Sequence, residues 1–217
     1  MDENLATSIW KRKFNSILLE SGLPSRFHRP QTLILREADR ESWEYLEEVR
    51  EDVVENVQNG SNIVLISSNV GNGKTSWAAR LLQRYLAETA LDGNLTCKGK
   101  FINCATLLSS LADFNYINTP EFSDEFKVLK TCELLVLDEI GAGRLNKVSY
   151  PYFYEIINYR IDNQLSIIST TNYKEEELVE FLGERLYSRL FDLATVVEFV
   201  ASNVRGYEPD EIEEMEI

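Results

Sequence analysis

The sequence predicts an α/β fold in which a parallel sheet is covered by helices on both faces. Three observations predict it. Short β-branched strands alternate with helical stretches of about 10–18 residues, the spacing of β-α-β units. One strand, "ELLVLD", is apolar almost throughout, as a strand buried on both faces must be. A glycine-rich turn, "SSNVGNGKT", joins another strand directly to a helix.

Taken in order, residues 1–23 read as a helix with an apolar set at Ile9, Trp10, Phe14, Ile17 and Leu18, ended by Gly22 and Pro24. A loop, "LPSRFHRPQTL", follows. Residues 39–58 read as a charged helix carrying Trp43, Leu46, Val49, Val53 and Val57, stopped by "NGSN". Then come the strand "NIVLIS", the helix "KTSWAARLLQRYLAE", the strand "KFINC", the helix "ATLLSSLADF" and a short helix around 121–130. "ELLVLD" is the next strand, "YPYFYEIINYRID" a helix, "LSIISTT" a strand, "KEEELVEFLGERLYSRLF" one helix and "TVVEFV" the last strand. The expected organisation is an N-terminal helix and linker (1–38), a core (39–207) and an acidic tail (208–217) that stays solvated and disordered.

Composition excludes several classes. The chain has 217 residues, 44% of them hydrophobic and 27% charged, enough for one buried core. No apolar run reaches the ~18 residues of a membrane span. The opening "MDENLATSIWKRKF" lacks the apolar segment of a signal peptide, so a cytoplasmic protein is expected. Cys97, Cys104 and Cys132 form no C-x-x-C pair, and His28 is the single histidine, which leaves no zinc set and points to reduced thiols. A net charge of −14 excludes a protein that coats duplex DNA through a broad basic face, so any DNA contact must be local.

The glycine-rich turn carries the first chemistry. Backbone amides from Asn69, Val70, Gly71, Asn72 and Gly73 through Lys74, Thr75 and Ser76 can ring a triphosphate at a helix N-terminus. Gly71 and Gly73 let the backbone approach anionic oxygens without a Cβ. Lys74 reaches the outer phosphates, and the Thr75 hydroxyl suits Mg²⁺. Ser68 stands where the usual pattern begins with glycine. It is accommodated if its φ stays negative.

Sixty-four residues after Lys74, Asp138 and Glu139 end the apolar strand. Adjacent carboxylates there are costly unless a metal or ligand uses them. Asp138 suits the magnesium shell and Glu139 the polarising of an attacking water. Asn172 ends the next apolar strand, where its amide either holds that water, caps the following helix, or does both. Arg185 and Arg189 share one helix face at i, i+4. Either they reach a γ-phosphate of a neighbouring subunit or they pair with Glu184 or Asp192 at the surface. Arg205 lies beyond the last strand, placed to contact phosphates of its own subunit or simply the solvent.

In this order the residues resemble AAA+ helicase loaders of the DnaC/DnaI type and their transposition relatives of the IstB type, from about residue 14 to 207. "LLESGLPSRFHRPQTL" is similar to the linker ahead of the family's core, "GNGKTSWAARLL" to its phosphate loop, "LLVLDEIG" to its acidic strand, and "STTN" with "FLGERLYSRL" to its sensor asparagine and arginine-finger helix. The resemblance implies a P-loop NTPase fold of the AAA+ type without a C-terminal helical lid. It implies an ATPase that uses ATP and Mg²⁺, self-associates through the ATP site, and helps place a replicative DNA helicase on single-stranded DNA. It also implies that Arg185 and Arg189 act in trans and that Arg205 is a second sensor. Channel contacts to single-stranded DNA are expected from Phe114, Tyr116, Phe122, Phe126 or the Arg144–Lys147 loop, spacings that equally suit core packing. Fewer than 25 residues precede the linker. Either residues 1–20 therefore dock the helicase or docking differs, and a phage or mobile-element version is expected. Two rival functions remain: a transposition helper, and an adaptor that binds nucleotide with little hydrolysis.

Overall fold

The structure, a computed structural model, describes residues 3–29, 32–91, 96–113 and 115–201. Phe114, Arg205 and the tail 208–217 lie outside the described residues.

Five strands form one sheet: β1 (Asn62–Ile66), β2 (Gly99–Asn103), β3 (Leu134–Ile140), β4 (Ser166–Thr171) and β5 (Ala194–Glu198), in the spatial order β2-β3-β4-β1-β5. Every pairing is parallel. Nine α-helices among the described residues cover it. They are α1 (Glu3–Glu20), α2 (Arg40–Glu51), α3 (Val53–Gln58), α4 (Lys74–Leu91), α5 (Cys104–Ala112), α6 (Pro120–Thr131), α7 (Ser149–Asp162), α8 (Glu175–Leu182) and α9 (Glu184–Phe191).

Strand periodicity divides the core into two layers. Ile63, Leu65, Leu134, Val136, Ile168 and Val197 face α1–α4, with Trp77, Leu81 and Leu82 of α4 lying on the sheet. The intervening Val64, Leu135, Leu137 and Ile167 face α5–α9. Each buried Leu, Ile or Val is worth about 1.5–3 kcal/mol. The apolar run of β3 follows directly, because both of its faces are covered.

Two stretches that read as single helices are pairs. The 39–58 segment breaks at Asp52 (φ −104°, ψ 30°) between α2 and α3. The 174–191 segment breaks at Gly183, whose φ of +77° no helix accommodates, and α9 leaves in a new direction. Apolar periodicity runs through both breaks, which is why the sequence alone joins them.

Arg160, near the end of α7, is fully buried. Its guanidinium donates to the carbonyls of Leu129 (3.0 Å) and Cys132 (2.8 Å) at the end of α6, and to Ser166 (2.6 Å) at the start of β4. It thereby ties the entries of β3 and β4 to the end of α6.

The exit from β5 is held from two sides. Buried Asp39 accepts the amides of Val200 (2.7 Å) and Ala201 (3.1 Å). The Asn69 side-chain amide donates to the carbonyls of the same two residues, each at 3.2 Å.

Candidate functional site

Strands β3, β4 and β1 are neighbours and run the same way, so their C-terminal ends open on one edge of the sheet. In open α/β sheets that edge is where ligands bind. The glycine-rich loop follows β1, Asp138 and Glu139 end β3, and Asn172 follows β4.

In the loop, Gly71 and Gly73 take φ of +79° and +92°. A Cβ on Gly73 would meet no atom within 4 Å, so the loop leaves open the room that a phosphate needs. Ser68 is exposed and is not among the residues with positive φ, so it fits the strand exit without strain. The amide of Asn69 already donates to Ser67 Oγ (3.1 Å), so the ring of free donors starts at Val70, which is exposed at the loop tip. The first helical bond runs from the Trp77 amide to the Gly73 carbonyl (2.9 Å), leaving the first-turn amides of Lys74, Thr75 and Ser76 directed past the helix start.

Lys74 is buried, its amine held by the Asn69 carbonyl (3.1 Å) and Asn72 Oδ1 (2.9 Å). Burial pulls this amine down to about 8, against the opposing pull of Asp138 and Glu139. It is therefore charged below that pH and loses its charge above it, and a triphosphate binds the charged form. Affinity for ATP is expected to weaken about tenfold between about pH 7 and 9. Lys74→Ala should bind about 10–150-fold more weakly near pH 7 and show no such slope. Fluorescent-nucleotide titrations at several pH values check both; unchanged affinity in the variant would contradict the cradle.

Asp138 Oδ1 accepts the hydroxyls of Thr75 and Thr170, each at 2.8 Å. Burial pushes the carboxyl up, and those two hydrogen bonds pull it back. A carboxylate beside a hydroxyl at the mouth of a phosphate loop is a hard-oxygen pair that fits magnesium, which completes its shell with nucleotide and water oxygens. No group of three or more His, Cys, Asp or Glu side chains clusters among the described residues, and this arrangement requires none.

Glu139 has φ +60°, in the left-handed region, and sits where the β3–β4 register shifts between Leu137 and Ile140. Its side chain is exposed at the strand's end. Its amide donates to Thr170 Oγ1 (2.8 Å) and its carboxylate accepts from Asn103 Nδ2 (2.9 Å). Asn103 and Thr170 were not legible as site residues. The available signal was a polar residue at or next to the end of an apolar strand.

Asn172 follows the end of β4, its Oδ1 buried and without a hydrogen-bond partner. It does not cap the next helix; Lys174 is the N-cap of α8, its amide bonded to Glu177 (2.8 Å). The two arginines diverge. Arg189 pairs with Asp162 (2.7 Å), not with Glu184 or Asp192. Arg185 is exposed, its guanidinium 4.8 Å from the centre of the Tyr154 ring. Among the channel candidates, Phe122 is a core residue packed with Tyr116, Phe126 and Tyr152, whereas Arg144 and Lys147 are exposed.

No protein-family model matches the chain. It is 25% identical over 178 residues to the uncharacterized protein YdaV of Escherichia coli (strain K12), covering 82% of this chain and 68% of that one. It is 28% identical over 130 residues to the replicative helicase loader DnaC of the same strain, covering 58% of this chain and 49% of DnaC, about half that relative's length. Three solved structures superpose on it. The DnaC helicase loader gives a TM-score of 0.64 at 19% identity, over 81% of this chain and 99% of that one. DnaI gives 0.65 at 19%, over 81% and 94%. AMPPCP-bound DnaA from Aquifex aeolicus gives 0.58 at 22%, over 79% and 50%. The fold is therefore the P-loop AAA+ fold of these proteins, and no helical lid follows β5 among the described residues. The resemblance to DnaC-like AAA+ ATPases read from the motifs is the one these comparisons return.

Proposed function

We propose that this chain is a magnesium-dependent ATPase that helps place a replicative DNA helicase on single-stranded DNA in the cytoplasm, with residues 39–207 as its ATPase core. One observation carries the ATPase reading. The Lys74 cradle, the Thr75–Asp138 oxygen pair, Glu139 and an unpartnered Asn172 oxygen meet on one edge of the sheet. A buried oxygen without a partner where β4 ends is open to accept a hydrogen bond from a ligand or water.

In this reading the loop amides and Lys74 hold the β- and γ-phosphates of ATP. Thr75 and Asp138 would hold magnesium, which would supply charge screening to the phosphate oxygens. Asn172 Oδ1 orients a water by accepting one of its hydrogens, and Glu139 takes the other proton as the water oxygen bonds to the γ-phosphorus. The bond to the bridging oxygen breaks, and ADP leaves with inorganic phosphate. Arg185 supplies its charge to the site of a second copy. Arg189 pairs with Asp162 at the surface, and its part in trans would first require that pair to open.

The helicase half rests on the similarity to DnaC, which is a replicative helicase loader. Exposed Lys11, Arg12 and Lys13 on α1, above buried Ile17 and Leu18, offer the docking surface. With the replicative helicase of the same cell and a circular single strand, this chain plus ATP should raise the helicase retained on the circle several-fold. Lys74→Ala should not. Equal retention with and without the chain would overturn the loader reading, and strand-independent capture of duplex DNA would favour the transposition helper.

A further inference from the structure

We propose that Tyr154 is a positioning residue for Arg185, its ring holding the guanidinium at the subunit surface in readiness for the nucleotide site of a second copy. The inference rests on the reading of Arg185 as acting in trans, and it names what prepares that arginine to act.

Gly183 turns the chain between α8 and α9, and Arg185 follows in the first turn of α9. Leu186 and Leu190 are buried and lock α9 onto the core. The outward face of the helix is thereby fixed while the Arg185 side chain stays exposed. Its Cζ lies 4.8 Å from the centroid of Tyr154, within the range in which a ring face attracts a cation. Tyr154 is half-buried and is itself stacked on Tyr150, with centroids 6.2 Å apart and planes at 20°. The ring beneath the guanidinium is therefore supported by a second ring on α7.

The chemistry of the rest matters more than its strength. Among the described residues no carboxylate pairs with Arg185, whereas Arg189 on the same helix is engaged by Asp162 at 2.7 Å. A carboxylate partner would neutralise the guanidinium and occupy its N–H fork. A ring face attracts the cation through its quadrupole and takes up none of those donors in the guanidinium plane. Tyr154 thus restricts where Arg185 points before subunits meet, and leaves it charged and free to donate to an incoming phosphate. Orienting a catalytic group in advance lowers the entropy lost at the reacting geometry.

The test uses the full chain at concentrations where ATP turnover per subunit has reached its plateau. Tyr154→Leu should lower kcat about two- to fivefold while nucleotide affinity stays within about twofold, since the affected arginine serves a neighbour's site. Tyr154→Phe, which keeps the ring, should restore the turnover that Tyr154→Leu loses. Tyr154→Leu combined with Arg185→Ala should turn over no more slowly than Arg185→Ala alone, because both changes remove one device. Wild-type kcat in Tyr154→Leu, or a loss that adds in full to that of Arg185→Ala, overturns the inference and leaves the arginine's role intact. Wild-type kcat in Arg185→Ala overturns the trans reading and the inference with it.

Discussion

Glu139→Gln should reduce phosphate release about 10²–10⁴-fold, the contribution of a general base in comparable reactions, while leaving nucleotide affinity within about twofold. The substitution keeps the size of the side chain, and its Oε1 still accepts the Asn103 amide hydrogen that holds Glu139 in place. The backbone bond from residue 139 to Thr170 does not involve the side chain at all. Lys74, Thr75 and Asp138, to which the proposed function gives the phosphate and metal contacts, are untouched. What disappears is the carboxylate proposed to take a proton from water. Phosphate-release kinetics alongside a fluorescent-nucleotide titration separate the two effects. Turnover equal to wild type would strip Glu139 of its role. Negligible turnover in both proteins would instead support the non-hydrolysing adaptor.

The second large effect is on stability. Arg160→Met should destabilise the chain by about 3–5 kcal/mol, because several buried carbonyls lose their donor at once. Burial already works against the charge of this guanidinium, opposed by its interaction with Cys132. Methionine fills much of the volume but donates nothing to Leu129, Cys132 or Ser166. For a chain of this size the loss corresponds to a midpoint lower by roughly 6–20 °C, read by thermal unfolding monitored by circular dichroism. A midpoint within a few degrees of wild type would show that water replaces those hydrogen bonds without cost.

The residues that meet at the sheet edge were legible because strand chemistry is local. A buried strand is apolar until it reaches the crevice, so the polar residues that end it, Asp138 and Glu139 in one strand and Asn172 after another, mark its functional end. The glycine loop declares itself by its glycines between a strand and a helix, and both Gly71 and Gly73 take positive φ in the structure. Arg160 stayed hidden because an arginine in the last turn of a helix usually faces water and the helix dipole; here the helix rotates it inward. The partner of Arg189 was sought among local carboxylates, yet it lies 27 residues away on α7. The breaks at Asp52 and Gly183 depend on backbone torsions that the continuing apolar pattern conceals. Asn103 illustrates a residue with two duties: its Oδ1 caps α5 by accepting from Ala105 (3.0 Å), while its Nδ2 steadies Glu139. Only the first duty has a sequence signature.

The clasp of Asp39 and Asn69 on Val200 and Ala201 bears on how the molecule is made. Strand β1 is translated early, but its neighbour β5 and the two residues that brace the phosphate loop emerge from the ribosome more than 130 positions later. Contacts at such separation form slowly and late. A nascent chain therefore carries the loop sequence well before it carries a finished loop, which is braced only when β5 has slotted into place.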